Sequence, residues 1–115
     1  MLNNKMLIFK IVPRNDWQSA ADPWPGSAHD QADGFLHFST AGQLAETLRR
    51  HYAGQDDLQL LAVEADNLSE SLTFELAPAR GEAFPHLYGP LPHTFVRWTR
   101  PIKRDGDDFA LPPLD

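Results

Sequence analysis

The sequence predicts a single α+β domain of short, mainly antiparallel strands with two short helices. Three observations support this: the chain has 115 residues, strand-length apolar runs recur along it, and helical spacing occurs in only two modest stretches. A chain of this length buries about two-thirds of its unfolded surface. We therefore treat residues 1–115 as one domain, with a core from about 7 to 102 and a C-terminal tail over 103–115.

The first half of the chain alternates strands and helices. Residues 7–12 form a β-branched and aromatic run that Pro13 ends, which predicts a strand. A helix of two or three turns then starts near Asn15, and turn-forming residues occupy 22–34. A compact apolar run predicts a strand at 35–39, and Thr40 with Gln43 forms a capping box that starts a helix over 41–52.

The second half is richer in strands. Residues 58–63 are almost continuously apolar, which predicts the central strand of the sheet. One helical turn is expected at 66–71, a short strand at 72–76 and a last strand at 95–98. Residues 77–92 contain several prolines and glycines, which predicts a long loop of the kind that often builds a site.

Composition excludes several classes of function. The net charge of −6 and pI near 5.2 argue against a duplex nucleic acid partner. The chain has no cysteine, which excludes disulfides and thiolate chemistry. No apolar run is long enough to span a membrane, and the polar residues 1–6 are not typical of a signal peptide. We expect a cytoplasmic protein; its protein partners and oligomeric state stay open.

The stretch 34–40, Gly-Phe-Leu-His-Phe-Ser-Thr, places ionisable chemistry among apolar residues. In an extended segment His37 and Ser39 project to one face. They lie where a strand ends and a helix begins, a place with free backbone donors that suits a polar ligand. The alternative is a core histidine with a satisfied hydrogen bond beside a serine that begins the helix.

The stretch 84–90, Phe-Pro-His-Leu-Tyr-Gly-Pro, is the second candidate. Pro85 and Pro90 restrict its backbone, and His86 and Tyr88 share a side if the segment is extended. An imidazole beside a tyrosine can stack on a flat polar ligand and form hydrogen bonds with it. The alternative is a rigid surface loop packed by its aromatic side chain. We expect the two histidine stretches to meet in one pocket.

Two charged residues lie inside predicted strands. Glu75 would orient an imidazole or act as a base if His37 or His86 were nearby, but exposed glutamates are also common on edge strands. Lys10 poses the same two alternatives. The catalytic candidates are thus His37, Glu75 and His86, and the ligand-binding candidates are Lys10, Ser39, Thr40 and Tyr88.

The spacing of the histidines gives little support to a metal site. His29, Asp30, His37, Glu75 and His86 all have acceptable ligand atoms. No two histidines form a helical i, i+4 pair, however, and no HExxH pattern occurs, so we expect no metal. A serine hydrolase is also disfavoured, because Ser39 lacks the G-x-S-x-G turn.

Taken together, these features resemble the domain-of-unknown-function family 952. The resemblance covers about residues 7–102 and is carried by the segments Phe9-Lys10-Ile11, 34–40 with Gln43, 58–63 and 84–91, together with Trp17 and Glu75. It implies a fold similar to the ADP-ribosyltransferase superfamily, nearest to the RNA 2′-phosphotransferases, in which a strand ending in His-x-Ser leads into a helix. His37-Phe38-Ser39 stands at the matching place.

The resemblance implies a cleft that binds NAD or another nucleotide-like small ligand. Lys10 would line it, in a strand where the transferases usually have histidine or arginine, and His86, Tyr88 and Glu75 would complete it. The implied activity is transfer chemistry at a ribose. The sequence leaves two functions open: such an enzyme, or a non-catalytic module that binds a small ligand or a partner.

Overall fold

The fold consists of two antiparallel sheets and a few short helices. A computed structural model describes residues 6–68 and 70–115. Residues 1–5, where we expect no signal peptide, lie outside the described residues, as does Ser69 within the turn expected at 66–71. The strands are β1 (Leu7–Pro13), β2 (Leu36–His37), β3 (Leu58–Glu64), β4 (Leu72–Ala77), β5 (Glu82–Leu87), β6 (Val96–Asp105) and β7 (Asp108–Ala110).

The helices are short, as the sequence predicts, but their number differs. They are α1 (Arg14–Gln18), α2 (Ala28–Asp33) and α3 (Leu44–His51), with 3-10 turns at Ala41–Gln43, Ala65–Leu68 and His93–Phe95. The expected turn at 66–71 thus begins one residue earlier and is shorter. In the described part of the chain no helix is long and apolar enough to cross a lipid bilayer.

The first sheet has the strand order β1-β3-β6-β7. β3 pairs antiparallel with β1 on one side and β6 on the other. Its residues Leu60, Leu61, Ala62 and Val63 are all fully buried, as expected for a strand covered on both faces. The prediction that 58–63 forms a central strand is therefore confirmed.

The second sheet has the order β2-β5-β4 and carries both histidine stretches. β5 is a strand, although the sequence predicts a loop there. The loop was predicted because Pro85 lies within this segment, and proline usually argues against an interior strand. Pro85 is tolerated because the two-residue β2 pairs only with Leu87 and His86. An isolated bridge between Phe9 and Ser39 connects this sheet to β1.

Helix α2 occupies part of the segment that the sequence assigns to a loop over 22–34. Its capping box joins Ser27 and Asp30: the Asp30 amide donates to Ser27 Oγ at 3.1 Å, and the Ser27 amide donates to Asp30 Oδ2 at 2.9 Å. Gly34 ends the helix at φ 86°, a conformation that favours glycine. The sequence did not predict this helix, because it is too short to give an apolar periodicity.

The expected helix over 41–52 is present as a 3-10 turn that continues into α3. The Thr40 amide donates to Gln43 Oε1 at 2.9 Å, as the predicted capping box requires. Leu44 and Leu48 are buried, and they pack with Phe9, Leu58, Leu60 and Ile102 in one of two core clusters. The other cluster centres on Ile8, Trp24, Leu61, Val63 and Leu87.

The sheet extends beyond residue 102, the expected end of the core. β6 continues to Asp105, and β7 folds back on it with Lys103 opposite Ala110. The tail therefore contributes a β-hairpin, and Leu111 and Leu114 pack against the cluster that contains Leu48. The sequence did not predict this hairpin because residues 103–108 are largely charged, and only one face of the hairpin contacts apolar side chains.

Candidate functional site

The structure brings the two histidine stretches together. His37 on β2 pairs directly with His86 on β5, and their ring centroids are 5.6 Å apart. Phe35 stacks on His86 at a centroid distance of 4.0 Å and contacts His37 at 4.6 Å. The antiparallel pairing of β2 with β5 is what places the two imidazoles side by side.

The two imidazoles face a cavity of about 430 Å³, which we call the histidine cavity. Its walls combine aromatic side chains with imidazole, hydroxyl and guanidinium groups. It is lined by Phe9, Ile11, His29, His37, Phe38, Ser39, Thr47, His51, Tyr52, Ala77, Arg80, Phe84 and His86. Four of the five histidines in the chain are in this set, which concentrates the ionisable chemistry of the protein at one place.

Behind His37 lies a buried charge network centred on Asp30, whose side chain is 2% exposed. Lys10 Nζ lies 2.9 Å from Asp30 Oδ2 and also donates to the His37 carbonyl at 2.9 Å. His37 Nδ1 lies 2.6 Å from Asp30 Oδ1, and the His37 amide donates to the same oxygen at 3.2 Å. Asp30 therefore has hydrogen-bond donors on both oxygens, as a buried carboxylate requires.

The surroundings of Asp30 keep it ionised and fix the tautomer of His37. Burial opposes the charge, but the hydrogen bond from His37 and the positive charge of Lys10 outweigh it and lower the pKa of Asp30. Burial lowers the pKa of Lys10, and Asp30 opposes that shift. Since an ionised carboxylate only accepts hydrogen bonds, His37 must carry a proton on Nδ1. Its Nε2 points the other way and lies 2.9 Å from Asp33 Oδ2.

Lys10 therefore reaches the site only through Asp30 and the His37 carbonyl. It is 4% exposed and is not among the residues that line the histidine cavity. Its ammonium group holds the histidine stretch in place through Asp30 and the His37 carbonyl, and its predicted role in ligand binding stays a prediction. Sequence reasoning missed Asp30 as its partner, because it named Asp30 only as a metal ligand.

Glu75, His86 and Tyr88 form a second cluster at the rim. His86 Nδ1 lies 2.8 Å from Glu75 Oε1, and the Tyr88 hydroxyl donates to the same oxygen at 2.5 Å. The hydrogen bonds from Tyr88 and His86 lower the pKa of Glu75, and the bond to Glu75 raises the pKa of Tyr88. Of these three residues His86 alone lines the histidine cavity, so Glu75 and Tyr88 act on it from outside.

Ser39 and Thr40 occupy different surroundings. Ser39 is buried and lines the histidine cavity, with its hydroxyl 3.3 Å from the Thr47 hydroxyl. Thr40 starts the 3-10 turn through its amide and is not among the cavity-lining residues. Ser39 therefore lies at the cavity wall and Thr40 at the helix start.

Arg80 supplies positive charge that the sequence gave no reason to place here. Its side chain is 7% exposed. Nη1 donates to the Thr47 hydroxyl at 3.1 Å, and the guanidinium lies 4.6 Å from the Phe84 ring centre. Nε lies 3.3 Å from a Glu46 oxygen, yet it has no hydrogen bond of good geometry to any described residue. Nη2 donates to the Gln43 carbonyl at 3.4 Å, so the guanidinium places a positive charge in the cavity wall.

His29 and His51 complete the ring of imidazoles. His29 stacks on His37 with a centroid distance of 4.6 Å, and it contributes to the cavity from helix α2. Partial burial, and then the charge of Arg80, lowers the pKa of His51 at the end of α3. Neither stands in an apolar stretch: the sequence indicates His29 only as a possible metal ligand, and it gives no reason to select His51.

Comparison with known proteins places the chain in a family. The sequence profile of the family described as "Protein of unknown function (DUF952)" matches residues 11–99. The crystal structure of protein CC0527 from Caulobacter crescentus is similar, with a TM-score of 0.82 and 42% identity over 89% of this chain and 90% of that chain. Its solution NMR structure gives a TM-score of 0.79 and 42% identity, covering 90% of each chain. No curated protein matches. The chain therefore belongs to the DUF952 family.

Proposed function

We propose that the protein binds a nucleotide-like ligand in the histidine cavity, with NAD as the first candidate. The volume of about 430 Å³ is typical of small-molecule sites, which span roughly 300–1,000 Å³. Phe9, Phe38 and Phe84 provide apolar walls for the flat face of a base. The observation that carries the proposal is the meeting of these walls with a buried guanidinium and several imidazoles in one cavity.

Arg80 is the proposed partner of the phosphate groups. A guanidinium is always charged and presents several donors in one plane, which matches phosphate oxygens. Nη1 donates one N–H to Thr47 and Nη2 donates one to the Gln43 carbonyl, and each has a second N–H that would hold a phosphate oxygen. The formal charge of −6 makes a general attraction to polyanions weak, which favours a small ligand held by one local cation.

His37 and Ser39 are the proposed anchors of the ligand hydroxyls. Asp30 holds His37 Nδ1 at 2.6 Å, so Nε2 is presented in a defined orientation. Ser39 lies two residues further along the chain and lines the same cavity. This arrangement agrees with the His-x-Ser pattern of the ADP-ribosyltransferase superfamily, and we propose that the fold is related to that superfamily.

We further propose group transfer at the ribose, with His86 as the base. The bond between ribose C1′ and the nicotinamide nitrogen breaks, and nicotinamide leaves with the electron pair. C1′ then bonds to an acceptor hydroxyl oxygen, whose proton passes to His86 Nε2. Glu75, 2.8 Å from His86 Nδ1, stabilises the imidazolium that forms, as carboxylates do in other histidine-based sites.

Binding is tested by thermal shift and calorimetry with NAD, ADP-ribose and nucleotides. A ligand present at 100 times its Kd stabilises the fold by about 2.7 kcal/mol, which raises Tm by about 10 °C for a domain of this size. We expect Arg80→Gln and His37→Ala to lose the shift. His93→Ala is the matched control, since His93 is the histidine outside the cavity. No shift with any of these compounds overturns the proposal.

Transfer is tested separately by following nicotinamide release from NAD. We expect slow release by the native protein, with loss in His86→Ala and in Glu75→Gln while NAD still binds. Binding without release contradicts the transfer step and leaves the alternative function, a module that binds its ligand without chemistry.

A further inference from the structure

A cluster of three metal-ligating side chains stands at the mouth of the histidine cavity. His29 Nε2, Asp33 Oδ2 and His37 Nε2 all lie within 4.8 Å of one another. Asp33 Oδ2 is 3.6 Å from His29 Nε2 and 2.9 Å from His37 Nε2. Helix α2 carries His29 and Asp33 four residues apart on one face, and β2 delivers His37 beside them.

We propose that His29, Asp33 and His37 form a binding site for one divalent transition metal ion, with zinc as the reference ion. Zinc takes imidazole nitrogen and carboxylate oxygen at about 2.0–2.1 Å in tetrahedral geometry, so two of its ligand atoms lie about 3.3 Å apart. The separations of 2.9 and 3.6 Å bracket that value. The two histidine rings are stacked with their planes 17° apart, so the exposed ring of His29 must turn before both Nε2 atoms point at one ion.

Both ring nitrogens of His37 face carboxylate oxygens. Nδ1 faces Asp30 Oδ1 at 2.6 Å and Nε2 faces Asp33 Oδ2 at 2.9 Å. A neutral imidazole carries one N–H, so one nitrogen would turn a lone pair toward a carboxylate oxygen. Either a second proton or a metal ion removes that repulsion. A metal ion uses the lone pair of Nε2 and the Asp33 oxygen together.

The buried network behind His37 has the form of a metal-site outer shell. Histidines that ligate metals usually donate their other ring N–H to a carboxylate, which fixes the ring and raises its basicity. Asp30 does this for His37 and is held in turn by Lys10 at 2.9 Å. An exposed surface histidine needs no such support, so the network argues that the direction of Nε2 matters.

The outer side of the cluster is adaptable and accessible. The side chains of His29 and Asp33 are 76% and 41% exposed, so they can reorient around an ion while His37 stays fixed. Three protein ligands leave at least one coordination position for water or a bound ligand. Because His29 and His37 both line the histidine cavity, that position lies at its mouth. The proposal does not depend on nucleotide binding.

The test is calorimetric titration of ZnCl₂ into full-length protein that has been treated with chelator and carries no histidine tag. We expect one Zn²⁺ per chain, and visible absorption of four-coordinate Co²⁺ when cobalt replaces zinc. His29→Ala and Asp33→Asn alter exposed side chains, so the fold is retained, and each is expected to weaken binding at least tenfold. The controls His51→Ala and His93→Ala remove histidines outside the cluster and should bind as the native protein does.

Two results overturn the proposal. One is the absence of stoichiometric Zn²⁺ binding by the native protein at tens of micromolar metal. The other is unchanged affinity in His29→Ala and Asp33→Asn, which would assign the ion to other residues.

Discussion

Replacing Asp30 with asparagine removes the charge at the centre of the buried network. At the Nζ to Oδ2 distance of 2.9 Å, the attraction between Lys10 and Asp30 is about 6 kcal/mol at an effective dielectric constant of 20. Desolvation of both ions opposes that attraction, so the pair contributes little net free energy. Removing one partner is different, because the ammonium of Lys10 then stays buried without a counter-charge. We expect Asp30→Asn to lower the free energy of unfolding by about 3–5 kcal/mol.

The assay is urea denaturation at pH 7, and two variants make it decisive. Asp57→Asn is the matched control, because Asp57 pairs with Arg14 at 2.7 Å on the surface, where both side chains are about half exposed. It should change stability far less. Lys10→Met with Asp30→Asn should be more stable than Asp30→Asn alone, since no buried charge is then left unpaired. Equal losses in Asp30→Asn and Asp57→Asn, or strict additivity in the double variant, would refute the reasoning.

Three further predictions follow from the same structure. Because the pKa of Asp30 is lowered by folding, the unfolded chain takes up its proton first; stability should fall as pH drops below about 3.9, and acid denaturation of Asp30→Asn should show a shallower slope. Burial raises the pKa of Tyr52 to about 12, so the native protein should lose about 2–3 kcal/mol as pH rises from about 10 to 12. Tyr52→Phe should abolish that loss, and ultraviolet titration of phenolate should locate the midpoint. Gly26→Ala should lower Tm more than Gly81→Ala: both glycines have positive φ, but a Cβ at Gly26 would lie 2.8 Å from Asp30 Cβ, whereas one at Gly81 meets nothing within 4 Å.

The parts of the fold that local sequence specifies were predicted correctly. β1 and β3 are short apolar runs of strand length, and each is buried in the structure as a strand. The capping box of Thr40 and Gln43 marks the start of the α3 segment in both sequence and structure. β5 was missed because Pro85 disfavours a strand locally, and tertiary pairing with β4 overrides that preference. β7 was missed because its hairpin depends on contacts with β6.

The candidate site divides in the same way. The two histidine stretches stand out locally, because imidazoles among apolar residues are unusual. Arg80 and His51 could not be found from sequence, since each lies in an ordinary polar segment and reaches the cavity through long-range packing. The sequence indicates His29 and His37 as possible metal ligands. The test for helical histidine pairs and for HExxH does not connect His29 with Asp33, which stands four residues further along α2.

The Lys10–Asp30 pair connects the stability of the fold with the chemistry of the site. A buried ion pair is often no more stabilising than apolar side chains of similar size, so stability alone does not account for a lysine and an aspartate that are 4% and 1% exposed. What the pair does is hold the backbone and the ring of His37 together: Lys10 donates to its carbonyl, and Asp30 accepts from both its amide and its Nδ1. An apolar replacement would fill the same volume without these hydrogen bonds to the backbone and the Nδ1 side of the ring. The direction of His37 Nε2, on which both the nucleotide and the metal proposals depend, is therefore the property that this charged core provides.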